Sequence, residues 1–223
     1  MTEDQPVPIS GEDVEASQQG MRYELATLSF RLLDAEKAAA GVLPWVEDPD
    51  AEGRLLGCWQ TENGPLGRLM VLRGFTDDAE LSRERARARR SVVPFGGPAH
   101  LTDLTLQSFA PFPFVPPVRT GRFGPVYEIR DYHLRPGGLP ATLAGWRQAL
   151  PARHRVDPLT VAMYALDGPD RILQIWPFRS LDERVALRRD LYAAGLWPPP
   201  GAPEQILDAT SVIAWPTAFS PLT

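Results

Sequence analysis

Tyr127-Glu-Ile-Arg-Asp-Tyr-His-Leu-Arg-Pro-Gly137 decides the fold, because it reads as a strand running into a turn and has an echo elsewhere in the chain. Strand alternation puts Tyr127, Ile129, Asp131 and His133 on one face and Glu128, Arg130 and Tyr132 on the other. A glutamate, an arginine and a tyrosine in line on one face are costly to bury unless they pair or meet a ligand. The echo is Tyr23-Glu-Leu-Ala-Thr-Leu28, about a hundred residues upstream.

Each copy opens a similar series of elements. From the echo onward, Tyr23–Phe30 predicts a first strand and residues 34–46 a helix with Asp34 as N-cap. Leu55–Thr61 and Arg68–Arg73 predict two strands around the turn Glu62-Asn-Gly-Pro65. Asp77 caps a second helix with Glu80 three residues on, and His100–Phe109 supplies the fourth strand. From Val126 the order starts again. Val126–His133 is a strand, and Leu139, Leu143, Trp146 and Leu150 recur at helical spacing. Leu159–Leu166 and Arg171–Phe178 pair around Asp167-Gly-Pro, Ser180 and Glu183 open a helix, and Ile206–Trp215 closes the series.

At an offset of 103 or 104, Gly64-Pro falls on Gly168-Pro, Phe75 on Phe178, and Asp77-x-x-Glu80 on Ser180-x-x-Glu183. Matches at the same element boundaries read as an internal duplication. The predicted fold class is therefore α+β: tandem ferredoxin-like (βαββαβ)2 units forming an intramolecular dimeric α+β barrel. The boundaries expected are a disordered acidic tail over 1–20, one unit over 21–110, a Pro-rich linker over 111–121 and a second unit over 122–223. In this arrangement the helices are expected to cover Ile129, Leu173 and Ile175. The enclosed face would carry Glu128, Arg130, Tyr132, Gln174 and Trp176, a concave space with a few convergent polar groups.

Composition narrows the classes. The net charge of −5 equals the five acidic residues of 1–20, so the rest is balanced and offers nucleic acid no bulk attraction. The basic run Arg83–Arg90 lies on a predicted helix without interleaved aromatics and reads as a solvated face. No apolar run reaches the roughly 18 residues of a membrane span, and without a basic n-region followed by an apolar core at the N-terminus no secretory signal is expected. A lone cysteine, Cys58, fits a reducing cytoplasm and has no basic neighbour in its strand to make it a nucleophile. His100, His133 and His154 share no metal-ligand spacing, so no metal is expected. Phosphate-loop, dinucleotide and nucleophile-elbow motifs are absent, and no cofactor is expected.

The residues at 127–137 resemble the opening motif of the NIPSNAP family. Gln174-Ile-Trp-x-Phe-x-Ser-Leu181, Arg184, Arg188, Trp197 and Phe219-Ser-Pro221 are also similar to it, as is Gly57-x-Trp-x-Thr-Glu62-x-Gly64 in the first half. The resemblance covers 21–223 as two tandem repeats and implies the dimeric α+β barrel. The family pattern has a histidine where Gln174 stands, and Ala26 takes the place equivalent to Arg130. One functional pole is therefore expected rather than two.

Candidate catalytic residues are Arg130, to hold a carboxylate or enolate oxygen, and Glu128 or Tyr132, to move a proton, with His133 as a further base. Against this stands a structural Glu128–Arg130 ion pair, and for His133 a surface histidine at a loop entrance. Candidate substrate-binding residues are Gln174, Trp176, Trp59 and Glu62, both tryptophans also reading as core. Two functions stay open. One is a cofactor-independent isomerase, cyclase or oxygenase acting by proton transfer on a small hydrophobic or aromatic metabolite in specialised metabolism. The other is a non-catalytic small-molecule-binding or protein-interaction barrel. The reading leaves room for a homodimer.

Overall fold

The computed structural model describes residues 18–97 and 99–223. Most of the acidic segment, residues 1–17, lies outside them. Gln18 is buried, and its side-chain amide donates to the carbonyl of Val115.

The element order is β1 (Arg22–Phe30), α1 (Ala35–Ala40), α2 (Val42–Val46), β2 (Arg54–Asn63), β3 (Arg68–Phe75), α3 (Asp78–Arg90) and β4 (Leu101–Pro111). The second series is β5 (Val126–Leu134), α4 (Leu139–His154), β6 (Val161–Ala165), β7 (Arg171–Phe178), α5 (Leu181–Ala193) and β8 (Ile206–Pro216). The helix predicted over 34–46 is broken at Gly41 into α1 and α2. A Cβ there would sit 2.9 Å from the Gly96 Cα, so glycine lets the 94–96 turn pack against the break. Asp34 does not cap; its carboxylate takes the Lys37 ammonium at 2.8 Å instead.

The other two helix starts form as the sequence predicts. Asp77 accepts from the Glu80 N–H at 2.8 Å and Ser180 from the Glu183 N–H at 3.1 Å. In both, the glutamate reaches back one residue before the cap, to the backbone N–H of Thr76 or Arg179. The two halves thus share even this displaced capping box.

All eight strands are antiparallel to their neighbours and close into one barrel in the order β1-β3-β2-β8-β5-β7-β6-β4. Each half contributes a four-stranded ferredoxin-like sheet, and the halves join edge to edge. Trp59–Asn63 of β2 pairs with Ile213–Pro216 of β8, and Phe109–Pro111 of β4 with Met163–Ala165 of β6. Closure leaves no open edge to recruit another chain. The C-terminus seals the join: Thr217 N–H donates to Cys58 C=O at 2.9 Å, and the Ser220 hydroxyl accepts from Cys58 N–H at 2.9 Å.

Three apolar clusters follow from the closure. The lumen is filled from both halves by Tyr23, Leu25, Trp59, Tyr127, Ile129 and Leu173, with Ile175 and others. Outside the barrel, Ala26, Leu28, Val71 and Phe95 pack under the first-half helices. Trp146, Ile172, Trp176 and Trp197 pack under those of the second half, joined by Phe112 and Phe114 of the Pro-rich segment.

This corrects the expected faces. Ile129, Leu173 and Ile175 point into the lumen, whereas Glu128, Arg130, Tyr132, Gln174 and Trp176 lie on the helix side. Alternation separates two faces but does not say which one carries helices. Here both are buried, and the helix side receives the charges because α5 brings partners for them.

Candidate functional site

β5, β7 and β8 lie side by side, so Glu128 is flanked by Trp176 and Ile213, and Arg130 by Gln174 and Ser211. α5 crosses this face and presents Arg184 and Arg188, one helical turn apart. Four groups converge on one oxygen of Glu128. Arg184 Nη2 donates to its Oε1 at 2.5 Å, the Ser211 hydroxyl at 2.6 Å and Arg188 Nη1 at 3.4 Å, while Arg130 Nε stands 3.8 Å away. The other oxygen, Oε2, is buried without a hydrogen-bond partner, as are Arg130 Nε, Arg184 Nε and Gln174 Nε2. The Arg130 guanidinium lies 5.1 Å from the Tyr132 ring centroid.

The Glu128 carboxylate is fully buried, while the three guanidinium side chains are 11–26% exposed. Burial pushes the Glu128 carboxyl up. The Arg184 hydrogen bond, the Arg130 charge and the Ser211 hydroxyl outweigh it and hold the group below the ordinary carboxylate range. Burial raises the Tyr132 phenol, only partly offset by Arg130, so it stays protonated at neutral pH. The cluster therefore combines one ionised carboxylate, three guanidiniums and a neutral phenol.

A corresponding cluster under the first-half helices is balanced, with one of its acids, Asp167, supplied by the second half. Glu24 meets Arg73 at 2.5 Å and Arg85 at 3.8 Å. Glu84 takes Arg73 and Arg87, and Asp167 takes Arg85 at 3.0 Å. Three acids face three arginines there; in the second half Glu128 alone faces three. Much of the basic run 83–90 is thereby bound to the protein, Arg87 stacking 3.6 Å from the Trp45 ring, whereas Arg89 and Arg90 are exposed.

The remaining sequence candidates are dispersed. Gln174 lies in the cluster and accepts from Trp176 Nε1 at 2.9 Å. Trp176 is buried and stacked on the Arg153 guanidinium at 3.6 Å, which also contacts Trp197 at 4.2 Å and pairs with Asp157 at 2.6 Å. Trp59 is in the lumen, 5.3 Å from the Tyr127 ring, and Glu62 is exposed at the end of β2. His133 is on the lumen-side face near the end of β5, opposite Arg171 and Asp208. Cys58 is fully buried, which raises its thiol to about 12. Ser211 had no sequence signal. Arg184 and Arg188 did have one, since residues four apart on a helix share a face, but nothing in sequence aimed that face at Glu128.

Among known proteins, residues 127–221 match the family model described as NIPSNAP. No curated protein matches the chain. An anthrone oxidase-like protein is similar in structure, with TM-score 0.65 and 11% identity over 92% of this chain and 95% of that one. A putative monooxygenase from Lactobacillus acidophilus has TM-score 0.56 and 10% identity over 88% and 94%. A NIPSNAP family protein of unknown function from Agrobacterium tumefaciens is 29% identical over 48% of this chain and all of that one, with TM-score 0.40.

Proposed function

Residues 127–221 belong to the NIPSNAP family, and from that premise we propose that the chain is a cofactor-independent enzyme acting by proton transfer. Its substrate is a small hydrophobic or aromatic metabolite bearing an acidic or enolisable oxygen, bound between β5 and α5. One observation carries this reading: three guanidiniums surround a single buried carboxylate whose second oxygen has no partner. A structural ion pair needs one arginine per carboxylate, and the excess charge favours an anion.

The chemistry follows from the protonation states. A C–H proton next to a carbonyl passes to Glu128 Oε2, and the electron pair moves onto the carbonyl oxygen. Arg130 and Arg188 hold the resulting enolate, with the protonated Tyr132 as a further donor. Return of the proton to a different carbon completes an isomerisation or sets up a ring closure. The guanidiniums weaken Glu128 as a base but stabilise the anion it creates, and the second effect governs the barrier. The anthrone oxidase-like and putative monooxygenase neighbours share the fold alone. The aromatic substrate class rests on Tyr132 and on the partly buried apolar side chains packed against the same helix-side cluster, Leu187 and Ile213.

Native mass spectrometry of freshly purified protein tests this, followed by incubation of the released compound with the protein in D2O. Protein-dependent deuterium uptake that fails in Arg130→Met is the expected result. A retained compound that neither exchanges nor converts would make the chain a binding barrel instead.

A further inference from the structure

The open end of the lumen is a cavity. Its wall is made by residues of seven strands, mostly from the faces that point inward, with Pro65 and the Glu128 partner Ser211 also lining it, and it encloses about 360 Å³. The far end is plugged by Trp59, Tyr127, Phe109 and Val161, and the C-terminal Leu222 belongs to the same cluster. Leu25, Met70, Ile129 and Leu173 form the apolar floor. Thr27, Ser29, Thr105 and Thr210 bring short hydroxyl side chains to the wall.

Four charged side chains line this cavity, Arg68 and Arg171 against Asp103 and Asp131, so it is neutral overall. At its side Arg171 Nη1 donates to Asp131 Oδ2 at 3.3 Å, and with the Gln107 amide turned so that its oxygen faces the guanidinium, both terminal nitrogens of Arg171 reach that oxygen at 2.9 and 3.0 Å. Arg171 is nine-tenths buried, yet its Nε has no hydrogen-bond partner, and neither has Asp131 Oδ1. Buried polar groups left unpaired in this way are costly, and a bound donor and acceptor would remove that cost. Burial also raises the Asp131 carboxyl, against the pull of Arg171.

We propose that the lumen is a binding site for a small, uncharged amphipathic molecule. Its apolar body rests on Leu25, Met70, Ile129 and Leu173, and a hydroxyl or amide end meets Asp131 and Arg171. The site lies on the opposite face of β5 from Glu128 and Arg130, so the two can be loaded independently.

Titration with N-phenyl-1-naphthylamine, a neutral aromatic amine, tests the proposal on the full chain. Saturable fluorescence enhancement is expected. Filling the cavity by Thr27→Phe weakens it by about tenfold or more, equivalent to at least ~1.4 kcal/mol. Ser29→Phe serves the same purpose should Thr27→Phe fail to fold. Arg130→Met leaves this binding unchanged. The proposal is overturned if the wild-type chain shows no saturable enhancement, or if folded cavity-filling variants bind the amine as tightly. It is overturned equally if the sulfonated analogue 8-anilinonaphthalene-1-sulfonate competes for the lumen with equal affinity, because the site would then accept an anion.

Discussion

Glu128 holds three donors on one oxygen and none on the other, and that imbalance is where its behaviour can be measured. Glu128→Gln keeps the shape but strands three guanidiniums without a counter-charge, so stability at neutral pH should fall by about 3 kcal/mol. The dependence on pH has a definite sign. Because the folded carboxyl titrates below the unfolded one, its contribution is present above the ordinary glutamate value of about 4.3 and is lost as pH falls through the folded value. The stability gap between wild type and Glu128→Gln, from denaturant melts, should therefore shrink below that pH. A gap that stays constant or widens on acidification contradicts the ionised, arginine-held carboxylate. At this scale the sequence was half legible. The common face of Glu128, Arg130 and Tyr132 follows from alternation, but its orientation does not. Arg184 and Arg188 sit more than fifty residues away and meet Glu128 only through the packing of α5.

Elements were legible wherever the signal was local. Asp77 and Ser180 cap as their sequences dictate, since a cap needs only a side chain and an N–H three residues on. In the helix over 34–46, Gly41 and Pro44 mark a weak second half, and the break falls at Gly41; its cause, the close packing of the distant turn at 94–96, lies outside that stretch. A similar close approach makes a prediction at α4. A Cβ on Gly145 would collide with the Pro200 carbonyl oxygen, in the loop that carries Trp197 against Trp146 at 4.9 Å. Helix propensity alone would make Gly145→Ala stabilising by up to about 1 kcal/mol. The contact should reverse that, costing roughly 1–3 kcal/mol. Thermal melts should show a fall of about 2–4 °C per kcal/mol in a chain of this size. A rise in melting temperature would mean that the 196–201 loop does not bear on the helix.

The whole molecule is a barrel that two ferredoxin-like halves close within one chain, with a charge-balanced cluster under the first set of helices and an unbalanced one under the second. The tandem architecture was legible from the echo of Tyr23-Glu-Leu in Tyr127-Glu-Ile. The asymmetry was foreshadowed by one position, Ala26 against Arg130. The edge pairing of β2 with β8 and β4 with β6 was not, because it depends on how two finished sheets meet. If the unbalanced cluster is the functional pole, an aromatic anion should find it, and Arg130 should matter to that binding more than to folding, since Glu128 keeps Arg184, Arg188 and Ser211 without it. The direct measurement is a fluorescence titration of 8-anilinonaphthalene-1-sulfonate into the full chain and into Arg130→Met, each with its melting temperature. The account predicts salt-sensitive, saturable binding that Arg130→Met weakens by about tenfold or more, a loss of roughly 1.5–3 kcal/mol, at nearly unchanged melting temperature. Equal affinity in wild type and a normally folded Arg130→Met would contradict it.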